Sequence, residues 1–134
     1  MVGLKKTKAT IVIDIDGTLL EYEKYEPFVF GYPIAGSIDA MRELKSAGYR
    51  IELYTARPKK ERAELMRHLH ELGILKIIDN VTSGKPIGHV YIDDRAVRFR
   101  GDWKACLIEV NSALAVELKA TVPVKPRISR KDVG

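Results

Sequence analysis

The run Ala9-Thr10-Ile11-Val12-Ile13 leads directly into Asp14-Ile15-Asp16-Gly17-Thr18, and this junction most constrains the fold. Consecutive β-branched residues read as a strand buried on both faces. On a regular strand, residues i and i+2 point the same way. Asp14 and Asp16 would then crowd their carboxylates at the end of a buried strand, an arrangement that is costly unless a cation relieves the repulsion. Gly17 supplies a tight turn behind them. The simpler reading is a strand ending in an ordinary Asp-Gly turn.

Three further segments bear on the choice. Arg50-Ile51-Glu52-Leu53-Tyr54-Thr55-Ala56-Arg57 reads as a second strand that ends in a hydroxyl. Gly84-Lys85-Pro86 sets a lysine in a turn. His89-Val90-Tyr91-Ile92-Asp93-Asp94-Arg95 reads as a strand that ends in paired acids. Between them, Ser37 to Lys45 carries Ile38, Met41 and Leu44 on one helical face, with Gly48 as a stop. Pro58 opens a helix with Leu65, Leu69 and Leu72 at helical spacing, ending near Gly73. Ile77-Ile78 reads as a short strand. Asp102 reads as the N-cap of a last helix in which Trp103, Leu107, Val110, Leu114 and Leu118 recur. A strand over Cys106–Val110 is the alternative there. Strands alternating with helices predict an α/β fold, a parallel sheet with helices on both faces. Ligands of such sheets bind beyond the carboxyl ends of the strands, where Asp14, Thr55 and Asp93 all fall.

In order, Asp14/Asp16/Thr18, Thr55, Lys85 and Asp93/Asp94 resemble the four motifs of the haloacid dehalogenase (HAD) superfamily of phosphotransferases, from about Ile11 to about Trp103. The resemblance implies a three-layer, Rossmann-like α/β/α sheet and a phosphatase. Asp14 would be the nucleophile that forms an aspartyl-phosphate. Asp16 would act first as general acid and then as base. Thr55 would donate to a phosphoryl oxygen, and Lys85 would neutralise charge on phosphate and nucleophile. Mg²⁺ would take the Asp14 carboxylate, the Asp16 carbonyl and the Asp93 carboxylate. Asp94 would complete that shell or orient Lys85, and Asp93 and Asp94 could exchange roles. Thr18 supports the phosphate loop. Arg57 and Arg95 would each either hold a second anionic group of the substrate or pair with a nearby acid.

Family members often insert a cap domain after the first or second motif. Neither gap is long enough here, so a capless member with an open cleft is expected, unless an oligomer covers it. The insert 22–32 carries Tyr22, Tyr25, Phe28, Phe30 and Tyr32 and resembles the family's flap. Those rings would either stack on a base or sugar or pin the loop to the domain. His68 and His70 have no metal-site spacing and read as solvated helix residues. The chain also resembles small capless prokaryotic and phage members, some tied to sugar phosphates and others to polynucleotide phosphatase domains.

The net charge of +5 sits at the ends. Lys5, Lys6 and Lys8 lie at one, and Lys125, Arg127, Arg130 and Lys131 against Asp132 at the other, so the stretch between is near neutral. This divides the chain into a basic segment 1–10, a catalytic domain 11–120 and a basic tail 121–134. It weighs against a basic nucleic-acid groove in the domain. The single Cys106 excludes an internal disulfide. With no apolar stretch of membrane length and no leader-like segment, a cytoplasmic protein is expected. The expected activity is thus a Mg²⁺-dependent phosphomonoester hydrolase acting on a small phosphorylated metabolite such as a sugar phosphate or nucleotide. A polynucleotide end phosphatase and a non-catalytic phosphate-binding module are the alternatives.

Overall fold

The computed structural model describes Gly3, Leu4 and residues 8–119. The tail 121–134 and half of the basic segment 1–10 lie outside these residues. Strand β1 spans Thr10–Asp14, helix α1 Ser37–Ser46, strand β2 Arg50–Tyr54, helix α2 Arg62–Glu71, strand β3 Asn80–Thr82, strand β4 Val90–Ile92 and helix α3 Trp103–Lys119. A short 3-10 turn, Lys59–Glu61, precedes α2. All strand pairs are parallel, in the order β3-β2-β1-β4. The described residues form one Rossmann-like α/β unit with no inserted second domain.

The register decides which side chains meet. Ile11 lies beside Ile51 and Ile13 beside Leu53, and Leu53 beside Val81. These side chains share one sheet face. Right-handed crossovers running β1 to β2 to β3 place α1 and α2 on that same face. Met41 of α1 and Leu65 and Leu69 of α2 close the core there with Ile74 and Ile77. The opposite face carries Thr10, Arg50 and Glu52 at registered positions, and Arg50 Nε donates to Glu52 Oε1 at 3.2 Å.

One sequence expectation about the sheet needs correction. Ile77 and Ile78 are not a strand. Ile77 sits in a turn closed by Ile77 N–H to Ile74 O at 2.9 Å, with its side chain in the core. The strand begins three residues later, at Asn80, because Asp79 redirects the chain. Asp79 accepts the Ile51 amide on its carboxylate at 2.8 Å and donates its own amide to Ile51 O at 2.8 Å. The last segment is the expected helix, and the alternative of a strand at Cys106–Val110 is not adopted. Asp102 caps it, accepting from Lys104 N at 2.9 Å and Ala105 N at 3.4 Å. Its apolar stripe is nevertheless exposed, with Trp103 68% accessible and Leu107 and Leu114 each more than half accessible. No helix among the described residues is long and apolar enough to cross a membrane.

The strand order reverses between β1 and β4. β2 and β3 follow on one side of β1, and β4 returns to the other. That reversal opens a crevice beyond the carboxyl ends of β1 and β4.

Candidate active site

Asp14 is the last residue of β1 and is 4% accessible. Across the crevice, Asp93 and Asp94 follow β4. One carboxylate oxygen from each of the three lies within 4.8 Å of the others. Three like charges so close repel strongly. A hard divalent cation is the natural counter-charge for such an all-oxygen set. The site is shaped closely as well: a Cβ built on Gly17 would stand 2.5 Å from Asp94 Oδ2. Gly17 also has φ +86°, a left-handed conformation that disfavours side chains. Gly17→Ala is expected to displace Asp94 and weaken divalent-cation binding about tenfold or more, with a smaller loss of fold stability, about 1 kcal/mol. Isothermal titration with Mg²⁺ beside thermal melts checks this.

The loop after β1 is built by its own backbone. Ile15 O accepts from Leu19 N and Leu20 N, both at 3.0 Å, and Gly17 N donates to Leu20 O at 2.8 Å. The turn brings Thr18 back over the acids. Its hydroxyl lies 3.2 Å from Asp94 Oδ1 and 3.5 Å from Asp14 Oδ2. With one proton it donates to one of them at a time. Asp93 Oδ1 accepts the Arg95 amide at 2.7 Å, a local turn that fixes the carboxylate. Arg95 Nε lies 3.9 Å from Asp94 Oδ2, and its guanidinium lies 5.9 Å from the Tyr22 ring centre.

Lys85 comes from the β3–β4 connection. It lines one pocket of about 200 Å³ together with Asp14 and Asp93, walled by Tyr54 and Tyr91. Its ammonium sits 4.8 Å from the centre of the Tyr91 ring. The Tyr91 hydroxyl donates to Pro86 O at 2.8 Å and accepts from Gly88 N at 2.9 Å. Tyr91 therefore fixes the loop that carries Lys85.

Thr55 follows β2 and is buried. Its oxygen accepts the Arg57 amide at 3.0 Å, so its own proton is left to donate. Asp16 turns away from the acid cluster toward Arg57, with Arg57 Nε at 2.8 Å from Oδ2 and Nη2 at 3.4 Å from Oδ1. Of the two roles open to Arg57, pairing with acids is the one the geometry supports. Its remaining N–H groups go to Glu61 Oε1 at 2.8 Å, Val29 O at 2.7 Å and Glu26 O at 3.2 Å. A guanidinium has five donors, and all five are used within the protein. Burial works against the charge of Arg57, yet Asp16 and Glu61 raise its pKa above the ordinary value.

Glu61, absent from the sequence reading, is fully buried. Besides Arg57 it accepts the Tyr25 hydroxyl and the Phe28 amide at 2.8 Å. Burial pushes its carboxyl up, but the Tyr25 hydroxyl, the Phe28 amide and Arg57 together hold it below the usual range. Tyr25 is pushed up to about 12, by burial first and then by Glu61. The flap is thus tied to the domain. Its neck is closed by Glu21 N to Tyr32 O at 2.8 Å. His68 is not a solvated helix residue: its Nε2 donates to Gly31 O at 2.7 Å, and its ring lies 5.5 Å from that of Phe30. Tyr25 and Phe30 pin the loop, whereas Tyr32 and Phe28 face solvent. The signal for Glu61 was its i+4 spacing from Arg57.

Comparison with known proteins places these features. A family model described as haloacid dehalogenase-like hydrolase matches residues 11–118. No curated protein matches. A solved structure of a conserved protein from Bacteroides thetaiotaomicron is similar, with a TM-score of 0.53 and 20% sequence identity over 79% of this chain and 92% of that one. At that identity the likeness concerns the fold alone.

Proposed function

The chain belongs to the haloacid dehalogenase-like hydrolases, and from that premise we propose that it is a Mg²⁺-dependent phosphomonoester hydrolase, capless and cytoplasmic, acting on a small phosphorylated metabolite. The observation that carries this reading is the meeting of Asp14, Asp93 and Asp94 within 4.8 Å, in a crevice that Lys85 also lines. Asp14, Asp93 and Asp94 would hold the cation, joined by the Asp16 carbonyl. When bound, that ion offsets negative charge on the phosphoryl oxygens.

The chain's own residues supply the remaining steps. Asp14 attacks phosphorus, an aspartyl-phosphate bond forms and the ester P–O bond breaks. Asp16 delivers a proton to the departing alcohol oxygen. It then takes a proton from water as that water attacks phosphorus and the Asp14–P bond breaks, releasing phosphate. Thr55 donates to a phosphoryl oxygen, and the Lys85 ammonium faces the charge that grows there. The near-neutral domain supports a small substrate over a polynucleotide.

The test is phosphate release from a panel of phosphorylated sugars, nucleotides and a 3′-phosphorylated oligonucleotide, with Mg²⁺ and with a chelator. Chelator-sensitive release from small esters is the expected result. Preference for the oligonucleotide would favour an end phosphatase, and no release from any ester would leave a phosphate-binding module. Metal and phosphate roles should also separate in variants. Asp93→Asn is expected to lose activity and recover part of it at high Mg²⁺, because one hard ligand is gone. Lys85→Ala is expected to stay slow at every Mg²⁺ concentration, by roughly 3 kcal/mol of barrier. A Mg²⁺ titration of turnover for both variants distinguishes the two roles.

A further inference from the structure

Asp16 is the carboxylate that must meet both the leaving group and the attacking water, so its placement matters at the level of a fraction of an ångström. In this fold its two oxygens face a single planar group, the guanidinium of Arg57. That group is itself fixed from every side. Glu61 holds one edge, and the carbonyls of Glu26 and Val29 hold the other donors. The ring of Phe30 lies 4.6 Å from the guanidinium carbon and that of Tyr25 5.4 Å. Glu61 in turn takes the amide of Phe28, a residue at φ +61°. A bulky side chain in that left-handed region is strained and needs support from its surroundings.

Resting on the hydrolase reading above, we infer that Arg57, seated on Glu61, is the positioning residue for Asp16 and locks the place of that carboxylate to the flap at 25–30. Arg57 touches neither substrate nor reacting atoms in this role. It acts through Asp16, by a two-point hold that only a guanidinium fork can make. A lysine at the same position keeps a positive charge against Glu61 but offers a point contact. Asp16 then loses its fixed direction, and Phe28 loses part of the anchor that keeps its backbone in place.

The consequence depends on the leaving group. An alkyl alcohol needs a proton as its bond to phosphorus breaks, whereas p-nitrophenolate leaves without one. Arg57→Lys is therefore expected to lower kcat/KM, which stops at phosphoryl transfer to Asp14 and leaves out the shared water step, about tenfold or more further for an alkyl phosphate than for p-nitrophenyl phosphate. The Mg²⁺ concentration for half-maximal activity should be unchanged. Hydrogen exchange at the Phe28 amide should quicken in the variant while α1 exchanges as in the parent. If Arg57→Lys does not fold, the double variant R57M/E61Q, which removes the Glu61 charge together with its cation and leaves Asp16 without its fork, reads the same ratio. Equal losses on the two esters, or no loss on either, overturn the inference while leaving the hydrolase reading intact. If the parent hydrolyses neither ester, the hydrolase reading falls and the inference with it.

Discussion

Asp14→Asn is expected to abolish turnover, with a loss of about 10,000-fold or more, because an amide is no nucleophile toward phosphorus and cannot carry the phosphoryl group. The side chain keeps its shape at the end of β1, so the strand should form as before. One of the three crowded charges disappears. Without a divalent cation the variant should therefore melt at or slightly above the parent temperature. Added Mg²⁺ should raise the parent's melting temperature more than the variant's, since a ligand stabilises in proportion to its affinity for the folded state. Turnover with p-nitrophenyl phosphate, measured beside thermal melts with and without Mg²⁺, gives both readouts. Appreciable activity in the variant would exclude Asp14 as the nucleophile.

Glu61→Ala is expected to be the most damaging substitution for stability outside the hydrophobic core. It leaves the Arg57 charge, the Tyr25 hydroxyl and the Phe28 amide without their shared acceptor. Breaking a buried ion pair in this way costs about 3–5 kcal/mol, or about 10–20 °C in melting temperature for a domain of this size. Glu61→Gln keeps an acceptor oxygen and should lose less. The acid limb of stability carries the same signature. The folded Glu61 carboxyl lies below its ordinary value of 4.5, so protons bind the unfolded chain more readily. Its contribution is complete above that value and is lost as pH falls through the lower folded pKa. Denaturant midpoints at graded acidic pH should show a shallower decline in Glu61→Gln than in the parent.

What the sequence made legible follows from locality. The β-branched run of β1, the acids behind it and the paired acids after β4 are each visible in a few consecutive residues. The parallel architecture then brings strand ends together, which sets Asp14 and Asp93 on one crevice. Glu61 was hidden because its partners Tyr25 and Phe28 are more than thirty residues away. The one local sign, its i+4 spacing from Arg57, is shared by many solvated pairs. His68 was misjudged for the same reason, since its partner is the Gly31 carbonyl. β3 was misplaced because a three-residue strand, Asn-Val-Thr, holds one apolar side chain, too little for any periodicity. The exposed stripe of α3 shows the converse. Helical spacing foretold the helix, but spacing alone does not supply a surface to cover its stripe.

The position of β4 separates what keeps this protein folded from what lets it act. Every buried hydrophobic residue among those described lies between Ile11 and Val81. β4 comes after all of them, is exposed along its length and joins β1 across a separation of 79 residues, as between Thr10 and His89. Closing so long a loop for little buried surface makes β4 the weakly held margin of the sheet. It nevertheless delivers Asp93 and Asp94. A brief detachment of this margin would dismantle the acid cluster while the apolar interior stayed whole. Heat or mild denaturant should therefore silence the protein well before it unfolds, and a growing chain has its interior in hand before its chemistry exists.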